Sequence, residues 1–131
     1  MLGSVTAAGS TIVADLEAGI GTLTRLSDGL DTIVVVVEPT SKSIEVGRRA
    51  ADFVREKSLG RLVVVANRLT GDDDFERIRA AFSGYHVVPI PDDPAVAEAD
   101  RQGAAPLDRT PDAPAMRALV DLAGQLVPAR G

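Results

Sequence analysis

Four runs of the chain are apolar without alternation: Thr11–Asp15, Thr32–Val37, Arg61–Ala66 and His86–Ile90. They are rich in β-branched residues, and none shows the every-second-residue polarity of a half-solvated strand. Such runs predict strands buried on both faces of a parallel sheet. Helical periodicity fills the intervals. Ser41 is placed to cap a helix reaching about Lys57, with Ile44, Val46, Ala50, Phe53 and Val54 inward and Gly60 just past its end. A second helix starts within Asp72–Asp74 and stops before Gly84, turning Phe75, Ile78 and Phe82 inward. A third runs from about Ala113 to Val127, with Met116, Leu119, Val120 and Ala123 inward. Gly19–Leu30 reads as a short helix or a loop. Pro91–Pro114 holds five of the eight prolines and is mostly loop, with one short helix near Ala95–Arg101. Strand–helix alternation predicts a single α/β domain over residues 1–131: a parallel sheet of about four strands flanked by helices.

Composition narrows the function classes. Hydrophobic residues make up 45% of the 131 residues but aromatics only 3%, so the core rests on Val, Ile, Leu and Ala. A formal charge of -5 argues against broad binding to a phosphate backbone, so no nucleic-acid partner is expected for the chain by itself. With no cysteine, thiolate metal sites and Cys nucleophiles are excluded within this chain. No apolar run approaches the roughly 18–20 residues that span a membrane. Met1–Ser4 has no basic segment of a signal peptide, so a cytoplasmic protein is the expectation.

The residues that bear chemistry cluster at predicted strand ends. Asp15 closes the first run and places a carboxylate at the edge where parallel sheets bind ligands, although an Asp there also serves as a helix cap. Glu38-Pro39-Thr40-Ser41 reads as a strand-to-helix turn, and Lys42 beside it carries no assigned role. Asn67 follows the third run; its carboxamide matches the donor and acceptor on an adenine edge, and it equally suits an Asx turn. Pro89-Ile90-Pro91-Asp92 gives a rigid backbone able to press on a flat base. His86, the single histidine, reads as structural. Asp72–Asp74 lacks the spacing of a calcium loop and reads as charge at a helix N-terminus.

Taken in order, Asp15-Leu16-Glu17-Ala18-Gly19-Ile20, Asn67-Arg68 and Pro89-Ile90-Pro91-Asp92-Asp93-Pro94 resemble the C-terminal half of MinD/ParA-type P-loop ATPases, including the branch of the carbon monoxide dehydrogenase nickel-insertion ATPase. The match spans about Thr11 to Leu126. The resemblance implies a partial P-loop NTPase (Rossmann-like) fold. It implies that Asp15 associates with Mg through water, and that Asp15 and Glu17 belong to the catalytic switch. It further implies that Asn67, Arg68, Pro89, Ile90, Pro91 and Asp92 hold the adenine of ATP or ADP. Gly21-Thr22 departs from the Glu-His of the nickel branch. The phosphate-binding motif G-x-x-x-x-G-K-[ST] does not occur: Lys42 and Lys57 are the only lysines, and neither follows a glycine. Gly19-Ile20-Gly21 has Thr24 where a dinucleotide fingerprint needs its third glycine.

In the resembled family that loop lies ahead of the position of Met1, so the chain reads as a fragment, a split gene product or a degenerate paralogue. Weak, base-directed nucleotide binding without hydrolysis is expected, with a homo-oligomer or a partner chain completing the sheet. The alternative is a non-catalytic interaction module of the same fold. A receiver-like signalling domain is excluded by the absence of a Lys-Pro step at a late strand end. In the family, the strand carrying the phosphate loop sits beside Thr32–Val37. Without it, sequential strand order places the connecting helices on one face and leaves part of the other apolar and exposed.

Overall fold

The computed structural model describes Val13 and residues 31–126. Three strands form a parallel sheet in the order β1 (Thr32–Val37), β2 (Arg61–Leu69), β3 (Val87–Pro91). Helix α1 (Ser41–Glu56) joins β1 to β2, and α2 (Asp72–Ala81) joins β2 to β3. Three helices follow: α3 (Pro94–Arg101), the single turn α4 (Pro106–Arg109) and α5 (Pro114–Leu126). The remaining predicted strand, Thr11–Asp15, lies outside the described residues apart from Val13, which is exposed and in no strand.

Sequential order and right-handed crossovers bring α1 and α2 to the same face of the sheet. There Val37, Val64, Ala66 and Leu69 pack with Ala51 of α1, Ile78 of α2 and Phe82. Gly47 makes the close approach possible, because a Cβ at that position would stand 2.5 Å from Val37 Cγ2. On the opposite face α5 covers Val63, Val65, Val88 and Ile90 with Ala115, Met116 and Leu122.

The expected burial on both faces holds for β2, the central strand, whose Val63, Val64, Val65 and Ala66 are all buried. It fails for β1. Ile33 and Val37 are buried under α1, while Val34 and Val36 remain 37% and 59% exposed on the other face. An edge strand has cover only where a helix reaches it, and α5 lies over β3 and β2.

Local details depart from the sequence reading in four places. Thr40 rather than Ser41 caps α1, its Oγ1 accepting from the Ser43 amide at 3.2 Å. The helix ends through Ser58 in the left-handed region, φ 51°, with the Leu59 amide donating back to the Val54 carbonyl at 3.1 Å; Gly60 is not the reversing residue. Val46 is exposed on α1. On α5 the inward residues are Ala115, Met116 and Leu122, whereas Leu119, Val120 and Ala123 face out. Met116 alone of the four expected positions is buried.

Candidate functional site

Residues Asn67 and Arg68 do not follow the strand, as the sequence suggested, but lie inside it at a bulge. Ala66 is paired with Pro89 and Leu69 with Pro91, so β2 spends one more residue than β3 over this interval. The extra residue restores the parity that returns Leu69 to the face of Val64 and Ala66, where it is buried. Arg68 takes up the geometry with φ 59°, a conformation that costs a non-glycine residue on the order of 1 kcal/mol. Ladder pairing then closes through the Asp92 amide, which donates to the Leu69 carbonyl at 2.8 Å.

The bulge sits at the C-terminal edge of the sheet, the edge at which open α/β sheets take ligands. Register pairs Val37 with Ala66, so Glu38 emerges beside Asn67. Arg68 spans the edge: its Nη1 lies 3.2 Å from Glu38 Oε1 and its Nε 3.5 Å from Asp92 Oδ1. All three side chains are well exposed to solvent, so the bridge sets geometry more than stability. Asn67 is half-buried and makes no side-chain hydrogen bond to another described residue. Of the expected adenine-edge residues, the structure brings Asn67, Arg68, Pro91 and Asp92 together along β2 and β3. Ile90 is buried against α5 and serves the core, and Pro89 is exposed. Asp15 and Glu17, the expected magnesium and switch acids, lie outside the described residues.

Two residues carry more than the sequence assigned them. Glu38 was legible only as a turn residue, and its pairing with Arg68 depends on strand register. Asp93 caps α3, one oxygen accepting from the Ala95 amide at 3.0 Å, while the other accepts from the Ala115 amide at 3.1 Å. A single carboxylate thus fixes the start of two helices next to the candidate edge. Its signal in the sequence is Asp-Pro, an N-cap before a proline at the first helical position.

A second polar cluster lies elsewhere. Tyr85 stacks edge-on to Phe82, receives the Arg55 guanidinium 3.8 Å above its ring, and donates to Asp52. That hydrogen bond, followed by Arg48, holds the Asp52 carboxyl below the usual carboxylate range; burial and the Asp52 carboxylate push the Tyr85 phenol up. A cavity of about 430 Å³ opens beside it, lined by Arg55, Ser58, Leu62, Tyr85 and His86 among others. It lies at the N-terminal ends of β2 and β3, away from the bulge. Arg55 is already committed there, stacked on Tyr85 and donating to the Gly84 carbonyl at 2.7 Å. His86 is exposed rather than embedded in a strand, with Nε2 3.0 Å from Gln125 Oε1. Among the described residues no group of three or more His, Asp or Glu could hold a metal ion, and no helix is long and apolar enough to cross a membrane.

Comparison with known proteins bears on the fold. The carbon monoxide dehydrogenase accessory protein CooC of Rhodospirillum rubrum is 28% identical over 102 residues, covering 76% of this chain and 39% of that protein. The chain resembles part of a MinD/ParA-type P-loop ATPase, near the CooC branch. The septum site-determining protein MinD of Pyrococcus horikoshii, solved in complex with Mg-ADP, superposes with a TM-score of 0.64 at 16% identity. That match covers 86% of this chain and 47% of MinD. MinD in the MinC:MinD complex of Aquifex aeolicus gives 0.63 at 20% identity, over 88% of this chain and 51% of that one. No family model matches. The MinD likenesses establish a partial Rossmann-like α/β fold. The chain spans 39% of the length of the curated relative it matches, and about half that of the MinD structures.

Proposed function

We propose that this ATPase-like domain is the adenine-side portion of a nucleotide site of the MinD/ParA type, acting in a CooC-like accessory role in carbon monoxide dehydrogenase maturation. The observation that carries the reading is the strained bulge at Asn67-Arg68. It is set at the ligand-binding edge of a parallel sheet and braced to Glu38 and Asp92. Strain of this kind persists where surrounding structure holds a side chain in a working position. Asn67 would read the base edge, and the Pro91-Asp92 backbone would border its face. Asp15 and Glu17 would serve Mg and the switch. Hydrolysis requires main-chain amides and a lysine around the transferred phosphoryl group, and residues 1–131 contain no such motif. The proposal is therefore weak ATP or ADP binding, dominated by the base, in a cytoplasmic protein whose chain alone does not turn over ATP.

Titration calorimetry with Mg-ATP, ADP and adenosine tests this. The three ligands bind within a few-fold of each other, and Asn67→Ala removes the preference for adenine over other bases. Binding of ATP far tighter than adenosine, or no binding of any of them, overturns it. A second reading is favoured by the exposed Val34 and Val36: a non-catalytic interaction module, whose sheet is covered by a second copy or a partner chain. It is separated from the first by the same titration, since it requires no nucleotide.

A further inference from the structure

Two acids at the candidate edge have a chemistry that bears on which base fits there. Glu38 leaves the end of β1 and Asp92 the end of β3, so they flank Asn67-Arg68 from the two neighbouring strands. Their side chains are 45% and 46% exposed, so neither is sealed inside the protein. Among the described residues Arg68 is the only cation in salt-bridge reach of either, through Nη1 to Glu38 and Nε to Asp92. One guanidinium therefore engages an oxygen of each carboxylate. Arg77, on α2 nearby, is directed elsewhere, to the Pro39 carbonyl at 3.3 Å and the Ser41 hydroxyl at 2.8 Å. The Glu38 amide donates to Ser43 Oγ at 2.9 Å, which fixes the backbone from which that acid projects.

Carboxylates discriminate between purines. The Watson–Crick edge of guanine presents two parallel donors, N1–H and the N2 amino group, and one carboxylate accepts both. Adenine has an acceptor at N1 and no N2 amino group, so the same carboxylate repels it there. A free Glu38 or Asp92 beside Asn67 would favour guanine and work against the adenine match of the Asn67 carboxamide. Held by Arg68, each carboxylate has its charge compensated and an oxygen occupied. We propose that Arg68 is the specificity-determining residue of this edge: by bridging Glu38 and Asp92 it withholds both carboxylates from the donors of guanine and keeps the site selective for adenine. This selectivity rests on the base-directed reading proposed above. It is set by removing an attraction to the competitor, since specificity is a difference of affinities. The left-handed position at φ 59° is the one from which a single side chain reaches both flanking strands.

Titration calorimetry of the full chain with adenosine, guanosine and inosine reads the selectivity. The native chain prefers adenosine. Arg68→Gly removes the bridge and suits the bulge, because glycine adopts φ 59° without strain. Arg68→Asn, the other replacement that readily adopts positive φ, is the second variant should glycine loosen the strand. In each, the guanosine-to-adenosine affinity ratio rises about tenfold or more, the scale of a hydrogen bond to a charged group. Inosine, which keeps N1–H but lacks the N2 amino group, gains less. Adding Glu38→Gln and Asp92→Asn to Arg68→Gly abolishes the gain. A merely structural Arg68 would weaken all three nucleosides alike and leave the ratios unmoved; that result overturns the proposal. A gain that survives the two carboxamides, or an inosine gain equal to that of guanosine, overturns it as well. A native chain that binds no nucleoside, or binds them without preference, overturns the base-directed reading and this selectivity with it.

Discussion

The two faces of this sheet are built from the same residue types and reach opposite ends. On the face under α1 and α2, Val37, Ala51, Val64, Ile78 and Phe82 are sealed from water. On the other face Val63 and Val65 are sealed by α5, while Val34 and Val36, their neighbours in register, are open. Valine content does not separate them. The number of helices that chain connectivity delivers to each face does: the two crossovers β1–α1–β2 and β2–α2–β3 share a hand, so both helices land on one side. Among the described residues only α5 packs on the other, and one helix does not span three strands.

The sharpest way to probe the contrast is truncation on the sealed side. Phe82→Ala opens a cavity beneath α1 and α2 and lowers unfolding stability by about 3–5 kcal/mol, read from urea midpoints at constant slope. A loss under 1 kcal/mol would show that this face is no better packed than the open one. Gly47→Ala follows. Its new Cβ would sit 2.5 Å from a side-chain atom of fully buried Val37, so helix and strand must separate, at about 1–3 kcal/mol. An unchanged melting temperature would mean the approach of α1 to β1 is looser than described.

Asp93→Ala acts on the half-covered face. It removes the cap of α3 and the acceptor for the Ala115 amide together, at a cost of about 1 kcal/mol. Hydrogen exchange should accelerate along α5, while α1 and α2 stay protected; uniform acceleration across all helices would break the distinction between faces.

The smallest effect is a pH dependence at the rim of the sealed face. The Asp52 carboxyl is depressed by the Tyr85 hydroxyl first, so its contribution is present above the unfolded value near pH 4 and disappears as pH falls through the lower folded value. Asp52 is half-exposed, and solvent screening keeps the contribution small. Stability should therefore be flat from neutral pH to about 5 and decline below about 4. Tyr85→Phe flattens part of that acid limb; an identical limb in the variant would remove Asp52 from the account.

Residue spacing made much of this visible beforehand. The Thr32–Val37, Arg61–Ala66 and His86–Ile90 runs became strands within about three residues of their expected limits, because short β-branched runs between helical periods have few other uses. Ile78 on α2 and Phe82 just past its end were legible as inward. The candidate site was legible in part: Asn67, Arg68 and Asp92 stand at one sheet edge, while Ile90 went to the core. The bulge was not legible, since nothing in Ala66-Asn67-Arg68-Leu69 states that β3 will spend one residue fewer. Nor was the inward face of α5. Leu119 and Val120 are as apolar as Leu122, and a helix with apolar residues on more than half its circumference does not say which part meets the sheet.

Local chemistry therefore determined the three described strands, the two helices that join them and their parallel pairing. Those follow from β-branched runs, capping residues and the hand of a crossover, which act over short stretches of chain. Tertiary structure decided which valines are dry, how Glu38, Arg68 and Asp92 meet, and that one Asp93 carboxylate serves two helices. Each depends on register between segments distant in sequence, and register is set only when the segments pack.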